Sequence, residues 1–405
     1  MPRREDGRIG VILLMDSLPI GGAESLLLSV LSGLDRDRFA PEVLCLRTPG
    51  AMAPRFVAAG VPVFVLGHRR AQHLLTPSSL VRWFRKRRAS IVMLTSHVAA
   101  HAFGPTAARA AGVDGTVVSV HMTGGKRLGL PTLPWHAMQQ MPLVDVLVTV
   151  SQQQLDYLVE EERFRSRPWR QARTEVISNG VSIREAPGAA ARYAARESLG
   201  VAPDDEAVGI VAALRAEKAH EVFLEAGAKI VAARPAARLL VIGEGERRDE
   251  LEALAGRLGI AERTIFTGYR PDARDLLPAL DVACLTSVQE TFPMAPLESL
   301  EAGVPVVMTD CGDMGRFIED GVTGYLVAVG DDSALAARVC ELLADPALRR
   351  RLGETGRMQV TRRFSLDRTI RAYERLFSEL ASRSAAGRDR EVSARGAHEP
   401  SEPAS

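Results

Sequence analysis

The chain has 405 residues, of which 46% are hydrophobic and 25% are charged. This composition can bury a sizeable core, which excludes the disordered and fibrous classes of protein. The length predicts two or three domains, and we assume two. The apolar run that begins at Ile9 is interrupted by Asp16. The sequence therefore predicts neither a signal peptide nor a membrane-spanning helix, and it predicts a cytoplasmic protein.

The net charge of +1 hides an asymmetry between the two halves of the chain. Residues 1–185 carry 23 Lys and Arg against 15 Asp and Glu, a balance of +8, whereas the remainder carries 28 against 35, a balance of −7. Opposite charges suit two domains that face each other, and a basic first half also suits an anionic surface or an acidic substrate. Neither interpretation is specific on this ground alone.

Strand candidates alternate with helical stretches through the first half of the chain. The first is a buried strand at 8–15, which is followed by a glycine loop at 18–24 and an amphipathic helix at 25–34. Alternation of this kind is typical of a parallel sheet with crossover helices. The further strand candidates of this half are 42–46, 61–66, 91–94, 116–120 and 144–150.

The pattern breaks at 182–190 and then restarts, which predicts an N-terminal domain over 1–185 and a second α/β domain over 190–364. A helix at 365–382 lies beyond the last strand and is predicted to cross back onto the first domain. Residues 383–405 have no periodic apolar residue and are predicted to be a disordered tail. The strand candidates of the second domain are 208–212, 238–242, 264–266, 282–285, 304–308 and 325–327.

Two glutamates eight residues apart, Glu290 and Glu298, follow the strand candidate at 282–285. A helix that begins near Pro293 would point its free N–H groups toward the strand ends, where they can bind a phosphate. At 1.5 Å per residue the two carboxylates would be roughly 10 Å apart, about the distance between the two sugar rings that flank a diphosphate. The alternative is a solvated acidic helix face.

Two cations follow the first strand of the second domain, at the same carboxyl edge of the predicted sheet. Arg215 and Lys218 are predicted to converge there on the phosphate that the glutamate segment would bind. Fixed cations and backbone N–H groups can neutralise a departing diphosphate without a metal. Taken alone, such a pair is more often a solvated helix start, so it is the joint arrangement that is informative.

At this point the sequence resembles the retaining glycosyltransferases of family four, which have the GT-B fold. The resemblance is carried by the Glu290 to Glu298 segment, by the glycine loop Gly21-Gly22-Ala23-Glu24, and by segments 176–181, 241–245, 267–272 and 320–327. It implies two Rossmann-like domains that face each other across a cleft. The second would bind a nucleotide diphosphate sugar and the first a hydroxyl acceptor, such as a polysaccharide, a glycolipid or a small molecule.

The resemblance also implies roles for individual residues. Glu298 would hold the ribose, Glu290 would contact hydroxyls of the transferred sugar, and Lys218 would pair with the phosphates. His121 falls where the family places a cleft histidine and is assigned to catalysis with Glu290 and Lys218, although a histidine after a strand is more often a packing residue. The other implied donor-binding residues are Gly21, Gly22, Arg215, Gly243, Tyr269, Arg270, Thr291, Phe292, Pro293, Met294 and Ala295.

The resemblance implies no cofactor beside the nucleotide sugar, and the residues predict no metal site. The histidine pair His97 and His101 does not have convincing metal-ligand spacing, and the candidate site loops contain no Asp-x-Asp motif. The four cysteines lie far apart without a Cys-x-x-Cys motif, which predicts reduced thiols rather than a zinc or redox site. They are Cys45, Cys284, Cys311 and Cys340.

Two departures from the family pattern leave other functions open. Ala213 stands where the family usually has arginine, so Arg215 would have to act from a shifted position, and Arg316 stands where glutamate is common. A protein of this fold that binds a nucleotide sugar without transferring it is the main alternative. A nicotinamide-dependent dehydrogenase is weakly supported, because the first glycine loop lacks Gly-x-Gly-x-x-Gly.

A basic run at 82–88 is predicted to lie on a helix of the first domain, with aromatic residues along one edge. Such a helix could lie on anionic lipid at the inner face of the membrane, since several enzymes of the family use lipid-linked acceptors. The alternative is a solvated helix whose aromatic residues pack inward. The basic run is not accompanied by the interleaved aromatic residues of a nucleic-acid-binding module, so the sequence predicts no nucleic-acid partner. The candidate membrane residues are Arg82, Trp83, Arg85, Lys86, Arg87 and Arg88.

Overall fold

The computed structural model of the chain describes residues 4–67, 76–95, 98–121, 135–160, 172–312 and 314–396. The chain divides into two compact units. Unit 1 comprises residues 1–178 together with 369–405, and unit 2 comprises residues 179–368. Each unit is a parallel sheet with helices, as the alternation of strand and helix candidates predicted. His97 lies outside the described residues, as do residues 397–405 of the predicted tail.

Unit 1 contains a seven-stranded sheet in the order β3-β2-β1-β4-β5-β6-β7, in which every pair of neighbours is parallel. This order places β1, β4 and β5 in the middle of the sheet, where their apolar side chains are almost fully buried. The strands are β1 (Ile9–Met15), β2 (Phe39–Cys45), β3 (Val63–Val65), β4 (Ile91–Leu94), β5 (Gly115–Val120), β6 (Val146–Thr149) and β7 (Arg173–Val176).

One strand of unit 1 was missing from the sequence prediction. β7 pairs with β6 from Val146–Arg173 to Thr149–Val176. Its sequence Arg-Thr-Glu-Val has no apolar run, because an edge strand has only one neighbour and is half exposed to solvent. The helices of unit 1 that precede it are α1 (Gly22–Gly33), α2 (Ala53–Ala58), α3 (Thr76–Arg87), α4 (Val98–Ala111), α5 (Trp135–Gln140) and α6 (Gln152–Glu160).

Unit 2 contains a six-stranded parallel sheet in the order β10-β9-β8-β11-β12-β13. The strands are β8 (Glu206–Val211), β9 (Ala237–Ile242), β10 (Thr264–Gly268), β11 (Val282–Leu285), β12 (Val306–Thr309) and β13 (Gly324–Val327). β8 and β11 are neighbours in the middle of the sheet, although they are far apart in sequence. The connections that leave their carboxyl ends therefore meet, which is the position where open α/β sheets bind ligands.

The helices of unit 2 surround this sheet. They are α7 (Ala189–Leu199), α8 (His220–Ala233), α9 (Arg248–Arg257), α10 (Ala273–Leu276), α11 (Met294–Glu301), α12 (Asp332–Ala344) and α13 (Pro346–Arg363). Unit 2 begins at Asn179, earlier than the predicted start at 190, because residues 179–184 bond to this unit. The side-chain amide of Asn179 donates to the Phe292 carbonyl (2.9 Å), and Val181 forms an isolated parallel bridge with Ser365.

The last helix, α14 (Leu366–Gly396), returns the chain to unit 1 from Thr369 onward. Tyr373 and Phe377 on this helix are almost fully buried, and the ring of Phe377 packs edge to face with that of Phe39. The sequence prediction ended the helix at 382, where the apolar periodicity ends. The helix continues into the predicted tail as far as Gly396, through a segment rich in Ala and Arg, which have high helix propensity.

Candidate functional site

The structure brings Lys218 and Glu290 together at the carboxyl edge of the unit 2 sheet. The Oε1 atom of Glu290 lies 2.5 Å from the Nζ atom of Lys218 and accepts a hydrogen bond from the Ser287 hydroxyl at 2.6 Å. The Glu290 side chain is 9% exposed and that of Lys218 is 22% exposed. Only one carboxylate oxygen is occupied by these two donors, so the group can also accept hydrogen bonds from a ligand.

The loop before Glu290 is fixed by bonds to the neighbouring connection, which starts from β8. The Thr286 hydroxyl donates to the Lys218 carbonyl at 3.0 Å, and the Val288 N–H donates to the Glu217 carbonyl at 2.9 Å. These two bonds hold the backbone on either side of Ser287 against the backbone that carries Lys218. Because these two bonds join the loops at the Lys218 and Glu217 carbonyls, Lys218 and Glu290 are positioned by the fold and not only by their own ion pair.

The third connection at this edge starts from β12 and supports the same loop from the other side. The Thr309 hydroxyl donates to the Ser287 carbonyl at 2.5 Å. Gly312 has a φ of +73°, and a Cβ atom there would lie 2.1 Å from the Glu290 carbonyl oxygen. No other residue type fits this close approach without moving the Glu290 backbone. The sequence analysis did not identify Ser287, Thr309 or Gly312, and the Thr-x-Cys-Gly stretch after a strand was the available signal.

Ala219 links the turn that carries Lys218 to helix α8 in a left-handed conformation, with a φ of +46°. This conformation costs a residue with a Cβ atom about 1–2 kcal/mol. The turn at 216–218 and α8 are therefore joined by a strained residue directly after Lys218. Strain of this kind is typical of positions where the chain must aim a functional group.

We expect Ala219→Gly to leave the free energy of unfolding unchanged or slightly higher. Relief of about 1–2 kcal/mol of left-handed strain offsets the loss of one buried methyl group and the added entropy of the unfolded chain, about 0.5–1 kcal/mol. Ala228→Gly, in the middle of α8 with ordinary helical geometry, should cost about 1 kcal/mol. Urea denaturation measures both. An equal loss of stability in the two variants would contradict the strain at Ala219.

Helix α11 begins at Met294, with Pro293 in extended conformation as its N-cap. The prediction that a helix starts near Pro293 is confirmed. Phe292 is buried between the rings of Phe317 and Phe364, with ring centroids 5.4 and 5.6 Å away. This packing holds the chain where it enters the helix. The first-turn N–H groups of α11 have no acceptor within the helix, and the positive end of the helix dipole favours an anion there.

Glu298 lies on α11 beside a second glutamate, Glu301, which is buried and well satisfied. Glu301 accepts hydrogen bonds from the Arg184 backbone N–H (2.8 Å) and from the guanidinium groups of Arg274 (2.9 Å) and Arg357 (3.1 Å). Among the described residues, Glu298 has one longer ionic contact, 3.7 Å from its Oε1 to the Nε atom of Arg274. Its side chain remains 23% exposed. Glu298 therefore keeps acceptor capacity that Glu301 has already used.

Burial raises the pKa of Glu298 to about 7, although the charges of Arg274 and Arg184 act in the opposite direction. A carboxylate accepts stronger hydrogen bonds from hydroxyl groups than a neutral carboxyl group does. Raising the pH from about 6 to about 8 converts this group from mostly protonated to mostly charged, so we expect the affinity for a nucleotide sugar to rise about 10-fold over this interval. Isothermal titration calorimetry measures this directly, because a diphosphate diester does not itself titrate there.

Glu298→Gln is the matched variant for this pH dependence. It keeps the shape of the side chain and removes the titrating proton, so binding should become weaker and independent of pH between about 6 and 8. A pH slope of equal size in Glu298→Gln would assign the titration to another group and contradict this account of Glu298.

Gly243, Tyr269 and Arg270 lie together where β9 and β10 end. The Gly243 N–H donates to the Gly268 carbonyl at 3.1 Å. A Cβ atom on Gly243, which has a φ of +154°, would lie 1.9 Å from the Ala212 carbonyl oxygen, so this glycine is required by backbone packing. Tyr269 is 48% exposed. The Arg270 guanidinium is held by both oxygens of Asp272, so the exposed Tyr269 ring is the freer of the two side chains.

Arg215 is an exposed cation next to the Lys218 site. Ala213 is also exposed, whereas Leu214 between them is buried. Within the part of the chain that the structure describes, the Arg215 guanidinium has no ion-pair or hydrogen-bond partner. Burial, together with the charges of Arg247 and Lys218, lowers the pKa of His220 to about 4, so this histidine adds no charge near pH 7. The side chain of Arg316 is not among those described.

In unit 1, the predicted glycine loop leads directly into α1, with Gly21 as its N-cap and Gly22 as its first residue. The Glu24 carboxylate folds over Gly21, where a Cβ atom would lie 2.2 Å from Oε2. His121 follows β5, and its Nε2 atom lies 3.0 Å from the Ser119 hydroxyl. Burial lowers the pKa of His121 to about 4 against the opposing charge of Glu24. The imidazole is therefore neutral near pH 7.

The structure favours the inward-packing interpretation of the basic run on α3. Phe84 is fully buried, and Trp83 packs edge to face with Phe64 and Phe84. Arg87 binds Glu42 with two hydrogen bonds, Arg85 donates to a backbone carbonyl, and Arg88 pairs with Glu5. Arg82 and Lys86 are exposed. Among the described helices, none combines the length and the apolar character that crossing a bilayer requires.

The four cysteines are all free thiols, three of them buried. Cys311 lies nearest to the site, and its thiol is 3.7 Å from the Thr309 hydroxyl. Burial raises the pKa of Cys311 to about 11, so it is not a thiolate near pH 7. Across the described ranges, no group of three or more His, Cys, Asp or Glu side chains is arranged to hold a metal ion.

Curated relatives match the chain over part of their length. N-acetyl-alpha-D-glucosaminyl L-malate synthase of Bacillus anthracis is 30% identical over 185 residues, which are 46% of this chain and 48% of that protein. D-inositol 3-phosphate glycosyltransferase of Geodermatophilus obscurus is 35% identical over 234 residues, which are 54% and 50%. The chain spans about half the length of the curated relatives it matches.

Solved structures match over almost the whole chain. HepE of Anabaena in complex with UDP-glucose has a TM-score of 0.79 and 22% identity, covering 92% of this chain and 100% of that one. Sucrose-phosphate synthase of Thermosynechococcus elongatus has a TM-score of 0.73 and 18% identity, covering 93% and 100%. At these identities the likeness establishes the fold, and the predicted GT-B fold with two Rossmann-like domains is confirmed.

Two protein-family models cover most of the chain. The model described as Glycosyltransferase Family 4 matches residues 20–185, which include the glycine loop and His121. The model described as Glycosyl transferases group 1 matches residues 192–359, which include Lys218, Glu290 and Glu298. With these matches and the fold, the chain belongs to the family-4 glycosyltransferases.

Proposed function

We propose that the protein transfers a sugar from a nucleotide diphosphate sugar to a hydroxyl acceptor, with retention of the anomeric configuration. The observation that carries the proposal is the arrangement of Lys218 and Glu290 at the carboxyl edge of the unit 2 sheet. A buried carboxylate and an ammonium group are held there on two loops that hydrogen bonds join, and the glutamate loop leads into α11. Both groups are thus presented to any ligand that occupies this edge.

Each part of the donor has a matching group in unit 2. Glu298 accepts hydrogen bonds from the ribose hydroxyls with the carboxylate oxygens that Arg274 leaves free. The diphosphate takes the place of Glu290 beside Lys218 and bonds to first-turn N–H groups of α11, with Arg215 as a further cation. Glu290 accepts hydrogen bonds from the transferred sugar. The exposed ring of Tyr269 contacts the nucleobase of the donor.

The transfer relies on positioning and charge stabilisation. The developing negative charge on the leaving diphosphate is neutralised by Lys218, Arg215 and the α11 dipole, which needs no protein nucleophile. The carboxylate of Glu290 stabilises an oxocarbenium-like sugar. In unit 1, we assign the neutral imidazole of His121 to catalysis and the glycine loop at Gly21 and Gly22 to donor binding, as the family resemblance implies. In this proposal, these positive groups neutralise the leaving diphosphate without a metal ion.

The experiment incubates the full chain with a panel of UDP-, GDP- and ADP-sugars, beginning with UDP-glucose. We expect one donor to bind and to be slowly hydrolysed, at a rate that a chelator does not change. With an acceptor from a cell extract, the anomeric coupling constant of the product in NMR should match that of the donor. An inverted product would contradict retention. A donor that binds but is never consumed would favour a binding protein of the same fold.

A lipid-linked acceptor and a peripheral membrane contact belong to the same proposal. They rest on the exposed cations Arg82 and Lys86 of α3 and not on the aromatic residues, which pack inward. Arg82→Glu with Lys86→Glu should abolish sedimentation with anionic phospholipid vesicles. Sedimentation that is absent in the original chain, or unchanged in this variant, would contradict a contact through α3.

A further inference from the structure

A chain of hydrogen bonds links His121 to the last helix of the protein. The Nε2 atom of His121 lies 3.0 Å from the Ser119 hydroxyl, and this hydroxyl lies 3.1 Å from the hydroxyl of Tyr373 on α14. Ser119 is fully buried, and Tyr373 is 1% exposed. Both polar groups are therefore shielded from water, and each has the other as its partner, which makes the connection stronger than a surface contact.

The other ring nitrogen of His121 takes no part in these hydrogen bonds. Its Nδ1 atom is buried and has no hydrogen-bond partner among the residues that the structure describes. The tautomer of a neutral histidine is set by the bond that one nitrogen makes, and this determines whether the other nitrogen donates or accepts. The hydrogen bond between the Ser119 hydroxyl and Nε2 therefore determines whether Nδ1 is a donor or an acceptor.

The direction of the hydrogen bonds follows from the chemistry of Tyr373. A phenol donates more strongly than an aliphatic hydroxyl, and its oxygen is a weaker acceptor because a lone pair is delocalised into the ring. Burial raises the pKa of Tyr373 to about 12, so it keeps its proton. When Tyr373 donates to Ser119, the Ser119 hydrogen is free to bond to Nε2, and in that arrangement the proton of the neutral imidazole resides on Nδ1.

We propose that Tyr373 is a positioning residue that acts through Ser119 to hold His121 in the Nδ1–H tautomer, so that Nδ1 donates a hydrogen bond to the substrate bound at unit 1. This inference rests on the proposed function for the role of His121, but the state of the ring can be tested without turnover. It also gives α14 a function beyond packing, because Tyr373 on this helix is the first donor in the series of hydrogen bonds that ends at His121. Neither Tyr373 nor Ser119 contacts the substrate in this scheme.

The first test measures kcat and donor KM for Tyr373→Phe, Ser119→Ala and the double variant. Removing the outer hydrogen-bond partner of a metal-ligating histidine costs about 10–100-fold, and we expect each single variant here to lower kcat by about 10-fold with donor KM unchanged. The kcat of the double variant should be no lower than that of the single variants, because both residues act through the same series of hydrogen bonds. Additive losses, or losses confined to KM, would overturn the proposal.

The matched control is Thr369→Val. The hydroxyl of Thr369 donates to the Ser178 carbonyl at 3.0 Å, so this variant also removes a hydrogen bond between α14 and the rest of unit 1, without a connection to His121. It should lower the melting temperature as much as Tyr373→Phe does and leave kcat unchanged. Equal losses of kcat in the two variants would reduce the role of Tyr373 to general stability and overturn the proposal.

The second test reads the tautomer directly by long-range ¹H–¹⁵N NMR of histidine-labelled protein, with the His121 signals assigned by their absence in His121→Gln. The original chain should show the Nδ1–H pattern, and Tyr373→Phe should show a mixture of tautomers. An Nε2–H pattern in the original chain, or no change in Tyr373→Phe, would overturn the proposal. If the NMR result is as expected but no donor is consumed, it is the proposed function that fails.

Discussion

Lys218→Ala should weaken binding of the donor's nucleoside diphosphate by about 100-fold. A hydrogen bond to a charged group contributes about 1.5–3 kcal/mol, and each 1.4 kcal/mol is a factor of about 10 in affinity. The effect lies at the upper end because Lys218 is the ion-pair partner of Glu290, whose side chain is only 9% exposed. Without the ammonium group, an unpaired carboxylate would face the diphosphate. Isothermal titration calorimetry gives the affinity.

Two controls separate a local effect from a change in net charge. Lys229→Ala removes the same charge from the same unit, but Lys229 pairs with Asp332 on the surface, 2.6 Å away, and should leave the affinity unchanged. The nucleoside of the same donor, which lacks the diphosphate, should bind Lys218→Ala as it binds the original chain. An equal loss for nucleoside and nucleoside diphosphate would show that Lys218 does not act on the phosphates.

Glu290→Gln should lower kcat by about 100-fold and change the donor dissociation constant by less than about threefold. The amide keeps the shape of the side chain but loses the negative charge that stabilises the sugar as positive charge develops on it. Lys218 loses its carboxylate partner and becomes more available to the diphosphate, so binding is preserved. The measurement is the rate of donor hydrolysis or transfer at saturating donor.

The matched control for this variant is Glu217→Gln, next to Lys218. Glu217 bonds to the same loop through its backbone carbonyl, which a change of side chain retains. Its kcat should stay within about twofold of the original, since no charge that contacts the sugar is removed. If Glu290→Gln retained full turnover, the carboxylate would have no part in the reaction.

Most of the fold follows from local pattern. Buried parallel strands are continuous apolar runs, so β1, β4, β8 and β11 could be located in the sequence to within two residues. The edge strand β7 could not, because its Arg-Thr-Glu-Val sequence reflects solvent on one side. The end of α14 was also missed, because beyond residue 382 the helix depends on backbone propensity and not on an apolar face.

The candidate site was partly predictable for a different reason. Parallel strands end at one edge of a sheet, so the cation after β8 and the carboxylate after β11 had to approach each other once those strands became neighbours. Their supports were harder to predict, because the Thr-x-Cys-Gly stretch at 309–312 marks a turn after a strand but not what that turn contacts. The bond from Thr309 to Ser287 and the close approach of Gly312 to Glu290 depend on the third dimension, and neither residue type has a periodic pattern that would mark it.

The same limit applies to the contacts of Ser119 and Arg87. Ser119 is one polar residue in an apolar strand, and nothing near it in sequence indicates that a tyrosine 254 positions later would bond to it. Arg87 belongs to a basic run whose composition suits a membrane surface, yet its guanidinium binds Glu42 across the unit. The charge composition of a segment indicates the electrostatic potential of its surface, but the ion-pair partner of each charged side chain depends on the fold.

The most direct test of the whole account is a crystal structure of the protein with its nucleotide diphosphate sugar. The account predicts that the ribose hydroxyls lie within about 3 Å of the Glu298 carboxylate, that the diphosphate lies against Lys218 and the start of α11, and that the sugar contacts Glu290. A donor bound with its ribose away from Glu298 and its diphosphate away from Lys218 would contradict the central claim that these residues hold one activated sugar.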